Sequence, residues 1–397
     1  MPISRIQQAR VAAGLSLQQV IDRLPDGLRV SRAAVHKYEA GTSTPSARML
    51  MHLARLYSVS PQQLLGPPVI DIEWVAFRRH RALSVRAIES IKARARSHAE
   101  RHLRVEQLIA GRRGHGFPAP VPGRTPEQAE ACAAGLRTKW RLGEAPIESL
   151  TETVESQGGV VVDLADAPLE FHGLSGRAHG NHPVVVVQRD APADRRRFTI
   201  AHELGHLCMS TGATADAERL AHRFASAFLL PAAVARRELG ETRRSLGIEE
   251  LLLLKRRYGV SVQAWLRRAK DLDIISPSAY TRYCKTVSKL GWRKAEPVVY
   301  DAERTSSRLE QLIRRALAEG VMSRDEAREL LPDLEARAAT LHSKRASARD
   351  LMRRPAAERD EALLRAAEKA APLYESGAIE RFEAFGEGDL RDDGDEA

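Results

Sequence analysis

Phe198-Thr199-Ile200-Ala201-His202-Glu203-Leu204-Gly205-His206 is the stretch on which the reading of this chain turns. On a helix, His202 and His206 stand one turn apart on the same face, about 5–6 Å between Cβ atoms. That spacing suits two imidazoles on one Zn²⁺. Ala201, Leu204, Gly205 and Cys208 fall on the opposite side, which predicts that this side is buried. Glu203 lies on the flank, where a carboxylate can take a proton from water without itself being a ligand. Gly205 predicts the close approach of another backbone.

A catalytic zinc needs a third protein ligand and an open fourth position. The next helical stretch carries an apolar stripe of Ala217, Leu220, Ala221, Phe224, Ala225 and Phe228, ended by Pro231. Glu218 sits at its margin, within reach of a half-buried ion. Cys208 competes as a soft ligand, but its place on the apolar face reads as a small core residue. His222, one turn after Glu218, competes as an outer partner or a surface histidine.

The run from Leu174-Ser175-Gly176 through Pro183–Val187 and Arg195–His206 resembles the ImmA/IrrE family of metallopeptidases. So do Glu218, Ala221, Phe224-Ala225 and Leu229-Leu230-Pro231 after it. The resemblance implies a zincin-like α+β domain in which His202, His206 and Glu218 bind the metal and Glu203 is the general base. His222 stands where that family usually has Asn. Looser likenesses around Gly135–Ile147 and Tyr258–Ala264 extend the resemblance over about residues 70–330.

The N-terminal 66 residues read differently. Ile6–Ala13, Leu17–Leu24, Ser31–Ala40, Ala47–Tyr57 and Pro61–Leu65 have helical apolar spacing, separated by Ser, Pro or Gly. Ser16 and Ser31 are placed to cap the second and third. Ala34, Val35 and Tyr38 fall inward while Arg32, Ala33, His36 and Lys37 point outward, the arrangement of a helix whose N-terminal residues enter the major groove. Eight Lys+Arg against three Asp+Glu give this segment a net charge of +5. Its closing Tyr38-Glu39-Ala40-Gly41, Pro45 and Val59-Ser60-Pro61 resemble the XRE (Cro/repressor-like) DNA-binding family. The resemblance places Gln18, Ser31, Arg32, Ala33 and Lys37 against DNA. The turn Pro25-Asp26-Gly27-Leu28-Arg29 is longer than the short turn usual there.

The whole chain has 397 residues, 62 Lys+Arg and 52 Asp+Glu, for a net charge of +10. This raises the prior for nucleic acid without arguing for a fold. Cys132, Cys208 and Cys284 form no CxxC pair, which excludes a disulfide scaffold and a cysteine-based zinc finger. A reducing cytoplasm is the expected setting. Arg5 and Arg10 in a mixed N-terminus argue against a secretory signal. No apolar run approaches the ~20 residues of a membrane span.

The expected fold is mainly α with a small β-sheet: an all-α helix-turn-helix domain (1–66), a basic helical linker region (67–125), an α+β metallopeptidase domain (126–292), a helical C-terminal region (293–382) and an acidic disordered tail (383–397). Strands are expected at Gly159–Leu164, Leu174–Ala178 and Pro183–Gln188. Val184–Gln188 reads either as an edge strand to which an extended substrate adds or as a buried strand. Arg78–Arg113 holds eleven Lys+Arg against three Glu and reads as a solvated helix face, with DNA phosphates as the alternative.

The expected function is a DNA-binding regulator with a zinc endopeptidase, a homodimer on an operator. The family resemblance implies an XRE-type repressor as substrate, with self-cleavage as a variant. A non-proteolytic repressor or antitoxin with a sensory or dimerising metal domain is the alternative of a different class. A zinc hydrolase of small molecules is a third.

Overall fold

Five serines start the five N-terminal helices. These are α1 (Arg5–Ala12), α2 (Leu17–Asp22), α3 (Arg32–Glu39), α4 (Ala47–Tyr57) and α5 (Pro61–Leu65). Ser4, Ser16, Ser31, Ser46 and Ser60 each accept, on the side-chain oxygen, the N–H three residues on, at 3.2 Å. Each cap satisfies a donor the helix would leave open, worth about 1 kcal/mol. Val20, Val35 and Leu53 are fully enclosed at the centre of this bundle. The long turn folds into a single 3₁₀ turn, Asp26–Leu28, which absorbs its extra length. Glu39 is buried and receives Arg10 through both carboxylate oxygens, while a further Arg10 nitrogen bonds the Leu15 carbonyl at 2.7 Å. That pairing ties α1 to α3.

The computed structural model describes residues 4–66, 70–76, 83–110, 116–178, 181–212, 216–293, 295–300 and 302–337. Residues to Leu330 form one compact unit, and Leu331–Ala397 a second. The acidic end, 383–397, and the preceding stretch from 338 lie outside the described residues.

After the bundle come β1 (Ile72–Ala76), α6 (Val85–Ala110), β2 (Val121–Pro122), α7 (Pro126–Lys139), α8 (Leu150–Ser156), β3 (Val160–Leu164), β4 (Gly173–Ala178) and β5 (His182–Gln188). Next are α9 (Ala193–Cys208), β6 (Met209–Ser210), α10 (Ala217–Leu229), α11 (Ala232–Leu239) and α12 (Ile248–Tyr258). The unit closes with α13 (Val262–Asp271), α14 (Pro277–Lys289), α15 (Arg308–Ala318) and α16 (Arg324–Leu330). Among the described residues the architecture is mainly helical around a four-stranded mixed sheet, as expected from the sequence, with β2 and β6 paired separately. The stretch read as a helical linker also supplies the strands β1 and β2.

The sheet order is β1-β4-β5-β3, with β1/β4 and β4/β5 antiparallel and β3/β5 parallel. This overturns the edge-strand reading of Val184–Gln188. β5 is interior, and Val184, Val185, Val186 and Val187 are fully buried. An unbroken valine run is what a strand covered on both faces requires. Val161, Val185 and Val187 face the core that contains α7–α10, while Val160, Val162, Val184 and Val186 face α6 through Ile91, Ala95 and Ala99. The edge of β4 is taken by β1.

Gly176 makes that pairing fit. A Cβ there would lie 2.7 Å from the Glu73 carbonyl oxygen and 2.7 Å from the Ile72 side chain. Gly176→Val is therefore expected to detach β1, read as lost hydrogen-exchange protection of residues 72–76. Unchanged protection would mean that the strand shifts to accommodate the side chain.

α6 is not a free basic face. It packs on β3 and on α1. Gln8 donates to the Ala93 carbonyl at 3.4 Å, Ser90 to the Ala12 carbonyl at 2.9 Å, and Arg5 pairs with Glu100 through both nitrogens. Arg94 and Arg101 donate to the backbone carbonyls of Ala165 and Leu330. One helix thus serves both the N-terminal bundle and the sheet.

Candidate metal centre

α9 is fixed before it reaches its histidines. Arg196 is buried and paired with Asp163 of β3 at 2.8 Å, and Asp163 also accepts the Ser306 N–H. Arg197, 1 % exposed, pairs with the buried Glu303 at 2.8 Å and donates to the carbonyls of Ile147, Glu148 and Tyr258. From Ile200 to Cys208 every residue of α9 is buried. Ala201, Leu204, Gly205 and Cys208 all face the core, as the periodicity predicts. Cys208 is a core thiol that burial pushes up to about 12.

α10 crosses α9 at Gly205. A Cβ at Gly205 would be 3.2 Å from the Ala221 Cα and 3.1 Å from the Phe224 ring, so glycine allows the close approach. This brings Glu218 over the two histidines. The Nε2 atoms of His202 and His206 are 3.1 Å apart. Glu218 Oε2 is 3.2 Å from His202 Nε2, and its Oε1 is 3.6 Å from His206 Nε2. Tetrahedral ligands at 2.0–2.1 Å from a common ion are separated by about 3.3 Å. The three donors therefore converge on one point with the spacing an ion needs. Burial, reinforced by the adjacent His202, lowers His206 to about 4, so this imidazole is neutral at pH 7, the form that donates to a cation.

Glu203 lies beside the trio with its carboxyl enclosed. Ser175 of β4 donates to Glu203 Oε2 at 2.6 Å. Gly173, at the start of β4, leaves room for it, since a Cβ there would fall 2.8 Å from Oε1. Burial pushes the Glu203 carboxyl up to about 7, against the opposing pull of His202 and of the Ser175 hydroxyl. A carboxyl near neutrality next to a cation site can both take up and release a proton at working pH.

The trio and Glu203 line a cavity of about 240 Å³ with His172, Gly173, Arg195, Phe198, Thr199 and His222. His222 is inside it, its ring centroid 4.5 Å from that of His202, and it stacks on Phe198 at 5.7 Å. Sequence reasoning left His222 open and did not reach Ser175, His172 or Arg195. Arg195 precedes Phe198 and His202 on the same helix face and was open to that inference. Ser175 meets Glu203 only through the strand-to-helix packing.

The residues read as DNA-facing lie on α2, at the α3 cap and along α3. Ser31 caps α3, and Arg32, Ala33, His36 and Lys37 are exposed along it, while Val35 is buried and Ala34 and Tyr38 are partly so. Gln18 is exposed on α2, its amide donating to Asp22 at 2.9 Å.

Residues 4–65 match the family model of a helix-turn-helix domain, and residues 155–270 match that of the IrrE N-terminal-like domain, a peptidase family. No curated protein matches the chain significantly. The two matches agree with the XRE-like and ImmA/IrrE resemblances and support a DNA-binding domain joined to a metallopeptidase-type domain in one chain.

Proposed function

From a helix-turn-helix domain joined to an IrrE N-terminal-like peptidase domain, we propose a transcriptional regulator that works by zinc-dependent endoproteolysis. The observation that carries the reading is the convergence of His202, His206 and Glu218 beside the enclosed Glu203. His202, His206 and Glu218 would hold Zn²⁺, two imidazoles and a carboxylate being a donor set of catalytic zinc. When bound, the ion supplies Lewis acidity toward water and a scissile carbonyl.

The remaining roles belong to this chain's own groups. Glu203 accepts the proton of the attacking water on Oε1 and later delivers it to the leaving amine. Ser175 holds one carboxylate oxygen, fixing the direction in which the other points. Phe198 and the β4 backbone at Gly173 wall the cavity and limit water. The proposed substrate is an XRE-type repressor or the chain itself, and its cleavage would release the genes the repressor silences.

Metal analysis and cleavage test this together. The purified chain is expected to hold about one zinc, and to cut repressors encoded beside its gene into discrete fragments. A chain that binds no divalent metal, or a zinc-loaded chain that leaves those repressors and itself intact, would count against the reading.

The operator-reading half of the proposal assigns Gln18, Ser31, Arg32, Ala33, His36 and Lys37 to DNA, in a homodimer on paired half-sites. Lys37→Ala is expected to weaken binding to the DNA upstream of its own gene. It should also flatten the dependence of log affinity on log salt by about 1. An unchanged slope would remove Lys37 from the phosphate contacts.

A further inference from the structure

Helix α14 differs from the helices around it in sequence by what its cations do. Arg219 of α10 is paired with Asp216, Arg236 of α11 with Glu241, Arg257 of α12 with Glu238, Arg267 of α13 with Asp271 and Arg315 of α15 with Glu319. Arg282, Lys285 and Lys289 of α14 are exposed, and among the described residues none of them has an ion pair. The local sequence offers no acid to take them. Between Asp273 and Glu296 stand five Lys and Arg and no Asp or Glu.

The three cations are spaced i, i+3 and i+7, so they stand on one face along about 10 Å of helix. Ser278, one turn before Arg282, is exposed on the same face. The inner side of the helix is fixed. Ala279 and Val287 are buried, and the Tyr283 hydroxyl accepts the Leu246 N–H and donates to the Leu246 carbonyl at 2.9 Å. The cation face carries no large apolar residue, whereas the core of a protein interface is apolar and depleted in lysine.

We propose that this face of α14 contacts the phosphate backbone of double-stranded DNA, as a second DNA surface besides that of α2 and α3. Charge complementarity selects this occupant. A duplex carries one negative charge per about 1.7 Å of axis, so a row of unpaired cations meets several phosphates. Lys, Arg and Ser side chains make such contacts without reading sequence. The helix-turn-helix domain of the same chain keeps DNA at a high effective concentration, which lets a second, weaker contact form. α14 lies outside the residues matched to either family model, 4–65 and 155–270, so the surface is this chain's own addition. The inference rests on the DNA-binding reading above and extends it to the peptidase side of the chain.

The salt dependence of DNA binding tests this. Full-length protein is titrated, over a range of salt, with a long duplex of the DNA upstream of its own gene. The triple variant Arg282→Gln/Lys285→Gln/Lys289→Gln is expected to bind about ten- to a hundredfold more weakly near 0.1 M salt. It should also flatten the dependence of log affinity on log salt by about 2–3. A charge-matched control, Arg237→Gln/Arg257→Gln/Arg315→Gln, removes three cations already paired with acids and should change the slope by less than about 1. All six side chains are exposed, so neither set of substitutions disturbs the core. Equal losses in the two variants would mean that net charge alone acts, and would overturn the surface. So would an unchanged slope in the α14 variant, or a loss of affinity for poly-L-glutamate with none for DNA. Absence of salt-dependent DNA binding by the wild-type protein would overturn the DNA-binding reading itself, and the surface with it.

Discussion

Glu203→Gln is expected to lower hydrolysis by about 10²- to 10⁴-fold while the protein still holds one zinc. The amide keeps the size of the side chain, and its oxygen can still accept from Ser175 as Glu203 Oε2 does at 2.6 Å. His202, His206 and Glu218 are untouched, so metal content separates a lost proton carrier from a lost site. Turnover of the repressor substrate and zinc stoichiometry, measured on the same preparation, decide it. Cleavage at the wild-type rate would remove Glu203 from the mechanism. Normal gene control by the variant in cells, with no partner cut, would instead favour the repressor whose metal domain only senses or dimerises.

The second large effect concerns stability. The Glu303 carboxylate is fully enclosed and accepts the N–H groups of Leu150 and Thr151 at 2.8 and 2.9 Å, at the start of α8. Its charge partner Arg197 lies 4.9 Å from the Tyr300 ring centroid and is equally enclosed. Removing one member strands the other in a medium that cannot solvate it. Glu303→Ala and Arg197→Ala are each expected to cost about 3–5 kcal/mol, a large share of the ~5–15 kcal/mol typical of a folded domain. The double variant Arg197→Met/Glu303→Leu should recover part of this, but not all, because the α8 N–H groups lose their acceptor. Denaturant titration of the four proteins measures each loss and the recovery in the double variant. Single losses below about 1 kcal/mol would show that water reaches the pair.

What could be read from the sequence was local. The serine caps, the inward face of α3 and the paired histidines of α9 all depend on residues within one or two turns, so spacing alone specifies them. Glu218 was within reach because the apolar stripe of α10 fixes which side of that helix faces inward. The contacts that complete the site are not local. Ser175 meets Glu203 because β4 lies against α9, and nothing in the spacing of either segment encodes that. The strand order was equally hidden: a valine run fits an interior strand and an edge strand alike until the neighbours are known. Charge misled in a specific way. The arginines of α6 suggested a face turned to solvent or phosphate, but Arg86, Arg94 and Arg101 are engaged with backbone carbonyls, which a sum of charges cannot distinguish from free ones.

The helix α6 bears on any model in which the protein acts on itself. A nick between α5 and α6 would sever the covalent path from the DNA reader to the peptidase. The Arg5–Glu100, Gln8–Ala93 and Ser90–Ala12 bonds do not run through that path and would keep the halves clamped. Fragments that part on a denaturing gel would then co-elute in native buffer, and one proteolytic event there would not by itself free an operator.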